Sequence, residues 1–168
     1  APVHPVTGFA NLAMVEGSNF YEDGTLFHGP LFRGIQQVAF DQREKVITKI
    51  NLPLMNDRTQ GQFPVGSTNP FINDAIVQSL LIWSQENYAA PCLPSRLKEW
   101  VQYRPIPFGV PIWAVLTVTY HSEHAVAGDI LVIGEDGREY FHYVGLEGTI
   151  SQQLNRYIGR KTKALKEG

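Results

Sequence analysis

A single cysteine, Cys92, stands among the 168 residues, which excludes an internal disulfide framework and suits a reducing compartment. It lies between Pro91 and Pro94 and reads as an incidental thiol in a loop. Long apolar runs are missing too: nothing approaches the ~20 residues that span a bilayer. The start Ala1-Pro2-Val3-His4 lacks the basic-then-apolar order of a signal peptide. A soluble, cytoplasmic protein without a membrane partner is expected. Because the chain begins without methionine, excision from something longer, or processing, is expected as well. Neither sign of charge is in excess. Lys and Arg number 14 against 16 Asp and Glu, a formal net charge of -2, so no footprint for nucleic acid exists.

Several catalytic signatures are absent. Ser67, Ser79, Ser84 and Ser95 stand outside any Gly-x-Ser-x-Gly setting, which removes support for a serine hydrolase. The glycines are scattered among turns and form neither a dinucleotide fingerprint nor a phosphate loop, so nucleotide cofactors are not expected. His121 and His124 beside Glu123, and His142 between Phe141 and Tyr143, lack metal-ligand spacing and read as solvated or structural. There is no internal repeat and no low-complexity segment.

What is present suits one domain with a substantial core. Residues 1–20, with Pro2, Pro5, Gly8 and Gly17, have no sustained period and read as a lead-in with little structure of its own. Residues 34–40 and 45–52 are rich in β-branched side chains and read as an antiparallel hairpin. In the second, Val46, Thr48, Ile50 and Leu52 share one face and Lys45, Lys49 and Asn51 the other, so one side of the sheet should face water. Residues 53–68 carry loop chemistry, long enough to cross over or to line a site. Four more strands are expected at 97–103, 112–120, 125–133 and 138–144, with Asp136-Gly137 as a tight turn. Ile150, Leu154, Tyr157 and Ile158 recur at helical spacing before a basic tail with Lys161, Lys163 and Lys166. The expected domains are thus a lead-in at 1–20, the folded domain at 21–148 and a helix with tail at 149–168.

The stretch that organises the chain is a helix from Asn69 to Trp83, ending near Tyr88 before Pro91. Asn69 suits the N-cap and Pro70 the first helical position. Its apolar residues surround the axis almost completely, as in a helix enclosed by other elements. Two strands, one long buried helix and four further strands make an α+β domain in which a curved antiparallel sheet wraps a central helix, the hotdog fold. Asp74 and Gln78, at i and i+4, lie side by side on that helix. A carboxylate among Ile72, Ala75, Ile76 and Val77 is costly unless paired, protonated or functional. An Asp so near a helix start also complements the dipole, and both readings stay open. A second candidate is His28, before the Gly29-Pro30 turn and flanked by Phe27 and Phe32; it reads either as a structural hydrogen-bonder or as a catalyst.

Two motifs carry a family resemblance. Phe27-His28-Gly29-Pro30-Leu31-Phe32-Arg33-Gly34-Ile35 resembles the Tyr-Gly-Pro-x-Phe-Gln-Gly motif of dehydratase domains in polyketide and polyunsaturated fatty acid synthases. Asn73-Asp74-Ala75-Ile76-Val77-Gln78 resembles their Leu-Asp-Ala-x-x-Gln motif. Leu93-Pro94-Ser95, the run Tyr103-Arg104-Pro105-Ile106-Pro107-Phe108-Gly109, and Gly128 through Leu146 follow in the family's order. Such dehydratases are double hotdogs, and the chain is similar to the carboxy-terminal half. The resemblance implies that Asp74 protonates the departing 3-hydroxyl of an acyl thioester and that Gln78 orients it. The family tyrosine that touches the aspartate falls at His28. The family's histidine base sits in a His-x-x-x-Gly-x-x-x-x-Pro motif that His4 with Gly8, and His124 with Gly128, match only in part.

Elimination of water needs a base for the C2 proton and an acid for the hydroxyl, on opposite sides of the substrate. Apolar neighbours would keep Asp74 protonated, and helix N–H groups near Asn69 to Phe71 would steady the thioester oxygen. No directly bound cofactor is implied, the substrate riding on the phosphopantetheine arm of an acyl carrier protein. The implied partners are that carrier and a second hotdog domain with the histidine, or a homodimer. Two other readings are a non-catalytic acyl-binding or docking domain and a hotdog thioesterase, which would also use Asp74.

Overall fold

The computed structural model describes residues 1–159. The basic tail with Lys161, Lys163 and Lys166 lies outside the described residues. Seven antiparallel strands form one sheet in the order β1-β2-β3-β5-β6-β7-β4. In chain order they are β1 (Val15–Glu16), β2 (Ile35–Asp41), β3 (Lys45–Ile50), β4 (Cys92–Gln102), β5 (Ile112–His121), β6 (Ala125–Gly134) and β7 (Glu139–Ile150). Helices α1 (Ser18–Glu22) and α2 (Asp57–Gln60) are short, and α3 (Pro70–Tyr88) is the central helix. It lies against β3, β4 and β5. This is the expected hotdog architecture, and α3 has both expected ends.

Local chemistry explains those ends. The Asn69 carboxamide accepts the Ile72 N–H at 3.2 Å and Pro70 takes the first turn, where a proline N–H is not missed. At the far end Ala89 turns left-handed (φ 50°), its N–H returns to the Gln85 carbonyl, and Pro91 stops propagation. Ile76, Leu80, Ile82 and Trp83 are fully buried, and each such side chain contributes about 1.5–3 kcal/mol. Trp83 also donates its indole N–H to the Arg43 carbonyl at 2.7 Å, pinning α3 to the β2–β3 turn.

Three expectations change. The lead-in at 1–20 is part of the fold: β1 pairs with β2, and Val3 bridges Arg138 beside the β6–β7 turn. There the His4 N–H donates to the Gly137 carbonyl and the Glu139 N–H to the Pro2 carbonyl. Gly137 has φ +76°, and a Cβ on it would meet the His4 carbonyl at 2.3 Å, so the turn and the amino-terminal segment require glycine together. The strand after α3 begins at Cys92, five residues earlier than expected. Pro94 concealed it, since proline enters a strand only on an edge or at a bulge, and β4 is an edge with an irregularity between Pro94 and Arg96. The expected carboxy-terminal helix splits: Ile150 closes β7, and among the described residues only a 3-10 helix, Gln152–Arg156, follows.

β3 also departs from clean alternation, because Ile47 is buried on the Lys45 face, in register with Ala39 and Val115. Cys92 is buried at the start of β4, and a Cβ on Gly148 of β7 would meet its sulfur at 2.2 Å. Among the described residues no helix is long and apolar enough to cross a membrane.

Candidate active site

Asp74 and Gln78 stand on adjacent turns of α3, and the Gln78 amide donates to Asp74 Oδ2 at 2.9 Å. The same nitrogen donates to the Phe32 carbonyl at 2.8 Å, while Gln78 Oε1 accepts the Tyr21 hydroxyl at 2.7 Å. Tyr21 in turn accepts the Ile35 N–H at 3.2 Å, so a chain of hydrogen bonds from β2 through α1 fixes which way the amide faces. Burial, ahead of the nearby charges, pushes the Tyr21 hydroxyl far above its ordinary value and keeps it a donor. The Arg33 guanidinium lies 5.5 Å from its ring centre.

His28 completes the cluster. Its Nε2 is 3.5 Å from Asp74 Oδ2, and its ring stacks on Phe27 with centroids 4.4 Å apart. Arg33 Nε donates to the His28 carbonyl and fixes the backbone at the Gly29-Pro30 turn. Nδ1 of His28 is buried without a hydrogen-bond partner. Burial lowers the His28 pKa below its ordinary value, and the Asp74 carboxylate opposes that only in part. Gln78 and His28 both address Oδ2; Asp74 Oδ1 makes no hydrogen bond among the described residues. With Phe27, Val77, Leu81, Leu93 and Pro94 they line a cleft of about 120 Å³, apolar apart from these three groups.

The structure therefore unites Asp74, Gln78 and His28, and adds Tyr21, which sequence reasoning passed over. Other expectations are corrected. Asp74 is not enclosed: its side chain is 40% exposed, on a stripe of α3 where Asn73, Asp74 and Val77 are only half-buried. Nor does the start of α3 face the cleft. Pro70 has no N–H, Asn69 already holds that of Ile72, and Phe71 is packed among Phe32, Phe63 and Phe108. Residues 53–68 contribute Phe63 to that aromatic cluster and no residue to the cleft.

Three of the other four histidines are bonded elsewhere, and His124 lies away from the cleft. His4 Nε2 and His142 Nδ1 bond to the two oxygens of Glu139, and His121 Nδ1 meets the Tyr88 hydroxyl at 2.6 Å. Among the described residues the cleft has no histidine other than His28, and no cluster of three or more His, Cys, Asp or Glu suited to a metal ion occurs.

Residues 10–156 match the family model described as "PS-DH: Polyketide synthase dehydratase N-terminal domain". The chain belongs to the polyketide synthase dehydratase family. This dehydratase-family chain is 31% identical over 112 residues to one of the polyunsaturated fatty acid synthase proteins of Thraustochytrium sp., covering 64% of the chain and 4% of that protein. Its fold matches the dehydratase domain from the CurK module of curacin polyketide synthase with a TM-score of 0.71 at 21% identity, over 90% of this chain and 53% of that one. A dehydratase domain of a mycocerosic acid synthase-like polyketide synthase matches with 0.70 at 19% identity, over 89% and 54%. The PpsC dehydratase domain of Mycobacterium tuberculosis matches with 0.67 at 18% identity, over 90% and 56%. The chain thus spans about half the length of these solved dehydratase domains.

Proposed function

We propose that this dehydratase-family chain supplies the aspartate half of a site that removes water from a 3-hydroxyacyl thioester in polyketide or fatty acid synthesis. The observation that carries the reading is Asp74 at the mouth of a small apolar cleft, one oxygen held by Gln78 and the other unpartnered. Protonated Asp74 gives its proton to the 3-hydroxyl, which leaves as water as a base takes the C2 proton and the C2–C3 double bond forms. Gln78 positions the carboxyl, and Tyr21 fixes Gln78.

The family model's description names an amino-terminal domain. We nevertheless assign the chain to the carboxy-terminal hotdog, on the pairing of an aspartate and a glutamine on the central helix and on a cleft in which the one histidine among the described residues adjoins the aspartate. The base then comes from a second hotdog domain, in the same polypeptide or in a partner. Two facts support a second domain: the solved relatives are about twice as long, and β4 has an open edge with Leu93, Leu97 and Trp100 exposed. Leu93 and Pro94 of that edge line the cleft, so a domain seated there would stand beside Asp74. The substrate arrives on the phosphopantetheine arm of an acyl carrier protein; one structural neighbour, PpsC, is in complex with C12:1-CoA.

The test supplies a 3-hydroxyacyl carrier thioester to the chain together with the second hotdog, and follows enoyl product and free thiol. Asp74→Asn is expected to lower dehydration by about 100- to 10,000-fold. Unchanged dehydration would overturn the assignment, thiol release would mark a thioesterase, and acyl binding without turnover would mark a binding domain.

A further inference from the structure

We propose that Leu81 is the floor of the acyl pocket and makes this a site for short acyl chains, with room for about four carbons beyond C3. The inference rests on the dehydratase reading above and adds to it the substrate class, the length of 3-hydroxyacyl chain that the site accepts.

The lining of the cleft sorts by depth. Phe27, Leu93 and Pro94 are exposed and Asp74 and Val77 half-buried, and these form the rim. Of the described residues that line it, only Gln78 and Leu81 are buried, at 1% and 3% exposure. Gln78 is committed to Tyr21, Phe32 and Asp74 by hydrogen bonds, so the apolar part of the floor is Leu81. Asp74, Gln78 and Leu81 follow at i, i+4 and i+7 on one face of α3, with about 10 Å of helix rise from the first to the last. The acid and the apolar floor therefore stand at opposite ends of one short slot.

Chemistry sets which part of the substrate enters that slot. The 3-hydroxyl has to meet Asp74, and the thioester stays joined to an arm that leads out to the carrier, so C1 and C2 lie on the solvent side. What is left for the floor is the chain from C4 onward. A cleft of about 120 Å³ holds about four such groups, at roughly 30 Å³ for a methylene the size of a water molecule. The floor has little freedom to retreat. Leu80 beside it packs so closely on Gly148 that a Cβ there would meet Leu80 Cδ2 at 2.9 Å, and Ile82 and Trp83 are fully buried. The Ser84 hydroxyl bonds to the carbonyls of Leu81 and Ala90, which fixes the turn below. A second domain seated on β4 meets the rim at Leu93 and Pro94; it closes the sides of the slot and leaves the floor to this chain.

The test measures kcat/KM for straight-chain 3-hydroxyacyl thioesters from butyryl to dodecanoyl, with the second hotdog supplied. Each enclosed methylene is expected to raise it about fourfold, up to hexanoyl or octanoyl. Decanoyl, which has to displace Leu81, is expected to fall by about tenfold. Leu81→Ala should carry this break to chains about two carbons longer. Leu81→Val removes a single methylene, disturbs the core less, and should raise decanoyl relative to hexanoyl by a smaller factor. A wild-type profile still level or rising at dodecanoyl would overturn the proposal, and so would a break that stays in place in both variants once an unfolding titration shows them folded. Affinities for the same series are read on Asp74→Asn. A break in affinity there, without dehydration by the wild type, would sink the dehydratase reading and keep the floor; dehydration without any break would do the reverse.

Discussion

At the scale of single residues, Tyr21 has two tasks through one oxygen: it donates to Gln78 and accepts from the Ile35 N–H. Tyr21→Phe keeps the ring and deletes both. The buried Ile35 N–H then lacks an acceptor, at a cost of about 1–3 kcal/mol that a urea titration will register. Gln78 loses the donor that holds its oxygen and keeps only the bonds from its nitrogen to Phe32 and Asp74, so kcat should fall about tenfold, the equivalent of ~1.4 kcal/mol, while KM changes little. Asp74 and Gln78 were legible because their relation is local, four residues on one helix. Tyr21 was not, because it lies 57 residues from Gln78 in a segment without a period. The exposure of Asp74 was hidden for another reason. Periodicity reports how much of a helix is apolar, but not which stripe the rest of the chain leaves uncovered.

At the scale of elements, the amino-terminal segment illustrates how little sequence signal a real element can carry. β1 has two residues and the Val3 bridge one, too few for any alternation, yet both add to the sheet. Glu139 fastens that segment from β7. Its side chain is 3% exposed, with His4 on one oxygen and His142 on the other. Burial raises its pKa, but the hydrogen bonds and charges of the two imidazoles outweigh that and leave it below the ordinary 4.5. Because the folded value is depressed, the stabilisation is complete above about pH 4.5 and is lost as pH falls through the folded value. Glu139→Gln should flatten the stability curve in that acid window and leave residues 2–4 more open to hydrogen exchange. α3 was the opposite case, legible from cap to stop, since Asn69, Pro70 and Pro91 each act on their own neighbours.

At the scale of the whole molecule, the wrapped helix and the first hairpin followed from the alternation of elements, whereas the strand order and the openness of β4 did not. An edge is a property of strand order, and no window of sequence shows that, among the described residues, Cys92–Gln102 pairs with β7 alone. Eight consecutive exposed residues, 93–100, leave this strand held by its ladder and by few side chains. Cys92 gives that weakness a clock. Burial pushes its thiol up to about 12, and its sulfur is closed off against Gly148. An alkylating reagent can reach it only while β4 stands away from β7, so the rate of labelling counts those openings. Seating a second domain on the edge should slow the reaction several-fold at a given pH, whereas an unchanged rate would place that domain elsewhere. The chain's lone cysteine is thus a native stopwatch for the opening of this edge, and for any domain that closes it.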